Sequence, residues 1–297
     1  MNRVVLIIAL LVGCAAHNNT ILVWPSKTGQ TVTYQGVITE LPTGLELSIG
    51  AFDLSKHVVR DTNSKSETTD SIPSIFFKVV DELNTVPLPE DMPLIATVKT
   101  KNSSVLEVKV VAAPPKLLLT EPQSEQASSE YKIRQAQAGS IQLLADMNPS
   151  GNLLSFYRNQ KQRNLVSLFF QLPYKPVNVG DSWNIPVHLI DLGNNYVVEI
   201  AQQFSRALLL SKTINSQGDT VAKILYIVNE NVKGNFQFKA DADPNAKPFS
   251  LEASYIGYGE LVVDKGYWKR HIGQMSYVGT GNVPINVKKL HALVYQE

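Results

Sequence analysis

Apolar and polar residues alternate with a period of two over most of this chain. Thr31-Val32-Thr33-Tyr34-Gln35-Gly36-Val37 alternates with β-branched and aromatic side chains, and Leu45-Glu46-Leu47-Ser48-Ile49 does the same after a turn at Pro42-Thr43-Gly44. That pattern predicts strands with one buried face. A polar loop spans Asp61 to Ser71, and then the period changes. Ile72, Ile75, Phe76, Val79, Val80 and Leu83 fall on one face of a helix, with Ser71 as N-cap and Pro73 in the first turn, where its missing N–H costs little. Leu94–Lys99 and Val105–Val111 follow as a hairpin around Asn102-Ser103-Ser104.

The second half is built in the same style. A hairpin pairs Ile141–Met147 with Leu153–Tyr157. A second amphipathic helix is predicted over Gln160–Gln171, with Leu165, Leu168, Phe169 and Leu172 on one face and Pro173 ending it. Strands recur at Tyr196–Phe204, Arg206–Lys212, Val221–Asn229, Asn235–Ala240, Leu251–Tyr258, Glu260–Asp264, Tyr267–Met275 and Val287–Tyr295, and Lys265-Gly266 makes a tight turn. In both halves a helix gives way to a Leu-Pro step, Leu88-Pro89 and Leu172-Pro173; a duplication and plain punctuation by proline both account for it.

The prediction is a mainly β protein: antiparallel sheets arranged as a sandwich, half-barrel or clamshell, with about two packed amphipathic helices. Plain core packing is the ordinary role of such helices, and a lid over a lipid cavity is the sharper one. Pro114-Pro115 and the polar run over residues 120–130 read as a linker. It separates an N-terminal β-rich domain with one helix, residues 21–119, from a C-terminal β-rich domain, residues 131–297.

The first residues belong to neither domain. Met1-Asn2-Arg3 supplies a positive charge, and Val4 to Val12 is an uncharged apolar run. A bilayer span needs about 20 apolar residues, so this stretch reads as a secretory signal, residues 1–13. Leu11-Val12-Gly13-Cys14 resembles the lipobox of bacterial lipoproteins. The resemblance implies that Cys14 carries acyl chains, palmitate among them, and becomes the mature N-terminus. An ordinary signal peptide with an incidental Cys is the plain alternative. By resemblance to the lipoproteins of two-membrane bacteria, Ala15 in place of an Asp favours the outer membrane over the inner one, and the lack of a following acidic run favours the periplasmic face. In a host with one membrane the anchor would be its outer leaflet. Residues 14–20 would be the tether, with a reach of at most ~25 Å to where patterning begins near Ile21. No second hydrophobic segment of spanning length follows, so the remainder is expected to be soluble.

Composition narrows the function further. Lys and Arg number 27 against 26 Asp and Glu, so the basic footprint of a nucleic-acid binder is missing. The single Cys excludes a disulfide framework and any multi-Cys metal site. At 44% hydrophobic residues, the chain is too apolar to be disordered.

Leu172-Pro173-Tyr174-Lys175-Pro176-Val177-Asn178-Val179-Gly180-Asp181-Ser182-Trp183 resembles the LP-x-KPV-x-VGDSW segment of a group of bacterial envelope proteins. Gly257 to Gly266 looks like their later glycine-rich hairpin. The likeness covers roughly residues 140–285. It implies a β-rich secreted body and brings no activity and no site residue with it.

Few residues suggest chemistry. Gly180-Asp181-Ser182-Trp183 invites a Ser-dependent hydrolase reading, but Trp183 stands where Leu is usual and no Asp-x-x-His pair follows near His271 or His291. The bland reading is a β-turn, Val179-Gly180-Asp181-Ser182, entering a strand with Trp183 in the core. Asp241, Asp243, Asn245 and Glu252 mimic the spacing of an EF-hand, but Ala246 replaces the turn Gly and the flanks are strands. A looser calcium loop and a plain polar turn both remain. His17, His57, His188, His271 and His291 show no ligand spacing. Tyr267-Trp268-Lys269-Arg270-His271 mixes aromatics with cations, as a lipid headgroup or partner contact or as an ordinary edge or half-exposed strand. Gly257-Tyr258-Gly259 lacks the third Gly and the helix of a dinucleotide site, and no motif names a cofactor or a metal.

The expectation is a non-catalytic outer-membrane lipoprotein, a binding or accessory subunit of an envelope protein complex. It would be held to the membrane through Cys14 and partnered by an outer-membrane protein. A carrier or sensor of lipid or another apolar ligand is the second expectation, and a hydrolase using Ser182 the third.

Overall fold

The computed structural model describes residues 20–24, 29–41, 74–89, 91–115, 125–158, 171–193, 195–237 and 246–297. Eleven strands form one antiparallel sheet. In chain order they are β1 (Thr31–Glu40), β2 (Leu94–Asn102), β3 (Val105–Ala112), β4 (Ile141–Met147), β5 (Leu153–Arg158), β6 (Ser182–Asn184), β7 (Tyr196–Ile214), β8 (Thr220–Phe236), β9 (Lys247–Val262), β10 (Tyr267–Gly281) and β11 (Ile285–Gln296). The described residues also hold two helices, α1 (Ser74–Thr85) and α2 (Glu125–Gln137). The spatial order is β5-β4-β3-β2-β1-β11-β10-β9-β8-β7-β6.

Strands on either side of residues 120–130 therefore share one sheet. The joint is β1 against β11, from Thr33 opposite Gln296 to Glu40 opposite Lys289. β1 is bordered by β2 on its other side, so the first and last strands of the chain zip the two meanders together. The division into two β-rich parts does not correspond to two sheets, and the linker itself is shorter than its composition suggested, because Glu125–Gln137 is helical. Glu, Gln, Ala, Lys and Arg favour helix, but they leave no apolar stripe for a period to reveal. α2 is fastened instead by Arg134, whose two terminal nitrogens donate to the Asp91 carboxylate at 2.5 and 3.2 Å.

The strands run longer than their alternation suggested. Tyr196–Phe204 and Arg206–Lys212 merge into β7, whose ladder to β8 continues through Ser205 and absorbs two register shifts, at Val198/Ile200 and Leu209/Ser211. Likewise Val221–Asn229 extends to Phe236, and Leu251–Tyr258 joins Glu260 and Leu261 in β9. A neighbouring strand on each side satisfies the backbone whatever the side chains are, so single polar residues do not break the ladder. The strand at Leu45–Ile49, the loop at 61–71 and most of the helix predicted over Gln160–Gln171 lie outside the described residues.

The sheet is strongly curled. Gln171 touches both of its halves: its side-chain amide donates to Gly151 O in the β4–β5 turn, and its own carbonyl accepts from the Tyr226 hydroxyl on β8. β4 and β8 stand seven positions apart in the strand order, about 34 Å in a flat sheet at ~4.8 Å per strand. One glutamine can bridge them only if the sheet rolls into a trough. Among the described residues β5 and β6 do not pair with each other, so the described sheet is a half-barrel.

Its two faces carry separate cores. The concave core gathers Tyr34, Val98, Val108, Ala145, Leu209, Tyr226, Tyr255 and Trp268 from the strands. It is filled from within by Leu22, Trp24, Leu172, Val177, Ile185, Val187 and Leu189, all from irregular segments. The convex core is the docking site of α1. Of the predicted stripe, Phe76, Val79, Val80 and Leu83 pack against Val37, Leu225, Ile227, Ile256, Tyr258, Ile272 and Ala292, and Ile75 is partly buried beside them. Ser71, Ile72 and Pro73 lie outside the described residues. The helix is also pinned by a hydrogen bond from the Tyr258 hydroxyl to Asn84 Oδ1. Helix α1 is thus a packing element on the outside of the trough, not a lid over it.

Candidate functional site

The concave face concentrates the aromatic and imidazole side chains. Trp24 meets Tyr34 and Trp268 edge-on, at 6.3 Å between ring centroids in each case. Trp268 touches Tyr226 at 6.2 Å, and Tyr226 touches His271 at 5.1 Å. Tyr255 stacks on His271 with 17° between planes, its hydroxyl 3.4 Å from Nδ1, and meets His291 at 6.1 Å. All of these side chains are buried. Strand alternation puts all but Trp24 on one face, and a bulge between Trp268 and Arg270 lets Trp268 and His271 share it.

Burial decides the electrostatics. Desolvation pushes both His271 and His291 down to about 3, with His291 opposing protonation of His271 and Lys289 opposing that of His291. Desolvation likewise pushes the Tyr226 and Tyr255 hydroxyls up. The aromatic and imidazole array is therefore uncharged across the physiological range. Such a surface holds its own chain or an apolar partner group by shape.

The residues singled out in the sequence are dispersed. Cys14, His17, His57, Asp241, Asp243 and Asn245 lie outside the described residues, and Glu252 sits exposed on β9. Ser182 is on the short edge strand β6, 1% exposed, and the Arg206 guanidinium donates to its hydroxyl at 3.3 Å. Asn178–Asp181 forms the turn before it: Asp181 N donates to Asn178 O, the Asp181 carboxylate accepts from Asn178 N, and Gly180 takes φ 93°. Only glycine adopts that conformation freely. Trp183 enters the concave core as expected. The Gly-Asp-Ser block is thus a turn leading into a strand, with the serine buried on the face away from Trp183, across from Leu208. Tyr267–His271 opens β10, which lies between β9 and β11 in the interior of the sheet and is no edge strand; Arg270 rests over the Tyr258 ring on the convex side.

One constellation escaped the sequence reading. Glu230 on β8 is buried, and its carboxylate accepts from Leu189 N and Ile190 N at 2.6 and 2.7 Å and contacts His188 Nδ1 at 2.7 Å. The Tyr277 hydroxyl donates to Leu189 O from the other side. These bonds clamp residues 188–190 across the trough. The signal was present: Glu230 shares the inward parity of Tyr226 and Val228, where a carboxylate must find donors. The His188 side chain is 64% exposed. Among the described residues no group of three or more His, Cys, Asp or Glu could hold a metal ion.

Neither a family model, nor a curated protein, nor a solved structure matches the chain.

Proposed function

We propose that this chain is a bacterial lipoprotein, anchored by acyl chains on Cys14 at the periplasmic face of the outer membrane. Its curled β body acts there as a non-catalytic binding or accessory subunit of an envelope protein complex. The observation that carries the reading is Leu11-Val12-Gly13-Cys14 at the end of an apolar run, with the chain's single Cys at the position lipidation uses. The body adds support. The one serine in a hydrolase-like motif is buried under Arg206, and the trough is plugged by the chain's own Trp24, Leu172 and Val187.

A carrier of apolar ligands is the second reading, favoured by the aromatic concave face. Those plugging segments weigh against it, because a ligand would have to displace residues fixed by Glu230 and Tyr226.

The test is fractionation and co-purification from the native host. The wild-type chain should float with outer-membrane vesicles and bring down an outer-membrane protein in fixed stoichiometry. Cys14→Ser should leave that fraction. A Cys14→Ser chain that still floats would contradict the anchor. A wild-type chain extracted alone with an extra lipid mass beyond the Cys14 acyl groups would favour the carrier.

A further inference from the structure

The chain joins the body at Thr20. Thr20 N donates to Val177 O and Val177 N to Thr20 O, and the Lys212 ammonium donates to Thr20 Oγ1 at 2.5 Å. Four residues on, Trp24 N donates to Pro149 O beside β4. Residues 20–24 thus cross one end of the trough from the β7 side to the β4 side and cap it. Thr20 follows Cys14 by six positions, a reach of at most about 21 Å.

The surface at this cap is apolar in the way an interfacial surface is. Ile21 and Val179, neighbours of the paired Thr20 and Val177, are exposed. Tyr174 is 72% exposed with Lys175 beside it, also exposed. Ile214 lies two residues beyond Lys212 on the same face of β7 and is 76% exposed. A tyrosine and lysines flanking aliphatic side chains match the headgroup boundary of a bilayer, where apolar bodies enter and polar tips stay wet.

From these observations we infer that the capped end of the half-barrel, presenting Ile21, Tyr174, Val179 and Ile214, rests on the bilayer that holds the Cys14 acyl chains. The inference builds on the lipid-anchor reading and adds an orientation. The short tether cannot let this end leave the surface by more than its own length, and the acyl chains make the apolar contact intramolecular. The opposite end of the trough then projects away from the membrane. Lys212, Ala222, Leu261 and Trp268 form one rung across β7 to β10. Val278, ten residues further along β10, stands about 30 Å from that rung and is also exposed.

The test uses the full lipoprotein purified from membranes and reconstituted in phosphatidylethanolamine–phosphatidylglycerol vesicles. With Cys14 acylated, a cysteine introduced by Tyr174→Cys, Val179→Cys or Val278→Cys is the only free thiol and takes an environment-sensitive fluorophore. Labels at 174 and 179 should be quenched by spin-labelled lipid at least threefold more than the label at 278, and the label at 278 correspondingly more by aqueous iodide. Equal iodide quenching at all three sites, with the protein floating on the vesicles, would overturn the orientation and leave the anchor standing. Labels at 174 and 179 shielded from both quenchers would put a protein on this surface, also against the inference. A wild-type lipoprotein that does not float would overturn the anchor itself, and the orientation with it.

Discussion

Gly257 and Gly273 face each other directly across β9 and β10, and the ring of Tyr255 lies over both. A β-carbon at Gly257 would stand 2.6 Å from Tyr255 Cζ and 2.8 Å from Ile272 O, and one at Gly273 would stand 2.7 Å from Tyr255 Cε2. The pair leaves a flat patch in the concave wall, and the aromatic ring fills it, replacing the packing the glycines lack.

Gly273→Ala should therefore destabilise the fold by about 1–3 kcal/mol, the usual cost of overfilling a packed site. Tyr255 is fully buried and stacked on His271, so it has no room to retreat. Chemical denaturation reads the loss. Combined with Tyr255→Ala, the substitution should cost less than the sum of the two single changes; strict additivity would mean that the ring and the glycine do not meet.

The buried imidazoles make stability depend on pH. Both have folded values near 3, below the ordinary 6.5 of the unfolded chain. The unfolded state therefore binds more protons between those limits, and stability falls as pH drops from about 6.5 towards 3. Each group contributes up to ~1.4 kcal/mol per pH unit within that window. Denaturation midpoints at pH 7.5 and 5 should differ clearly, and the proton resonances of His271 and His291 should show no titration above about pH 4. A titration of either near pH 6.5 would contradict their burial.

The Glu230 clamp should be separable from its surface partner. Glu230→Ala strands the buried Leu189 N–H and should cost about 2–3 kcal/mol, with faster hydrogen exchange at Leu189 and Ile190. His188→Ala touches an exposed side chain and should cost less than ~1 kcal/mol. Equal costs for the two would show that the imidazole, not the two amides, holds the segment.

Helix α1 is tied to the convex face by its apolar stripe. Phe76→Ala should remove about 3–5 kcal/mol, and Tyr258→Phe, which only deletes the bond to Asn84, about 1 kcal/mol. If Phe76→Ala melted α1 while leaving the sheet at full stability, the helix would be an appendage and not part of the convex core.

How far the sequence disclosed this depends on the range of the interaction concerned. The α1 stripe from Phe76 to Leu83 and the alternation of β1 are short-range patterns, and both were readable. A turn at Gly180 was readable because glycine marks it, but it runs from Asn178 to Asp181, one residue earlier than the Val179–Ser182 turn expected. The curl of the sheet was not, because it rests on Gln171 meeting partners 20 and 55 residues away. Helix α2 has propensity without periodicity, so its apolar positions gave no sign. The clamp was half legible: Glu230 stands at an inward position of β8, but nothing local to it names His188 or the amides that follow.

The central claim is the lipid anchor, and the mass of the N-terminal proteolytic fragment tests it most directly. Protein extracted from membranes should begin at Cys14 and carry a diacylglyceryl group with a further N-acyl chain. A mature chain beginning elsewhere, or Cys14 recovered as an unmodified thiol, would contradict the account.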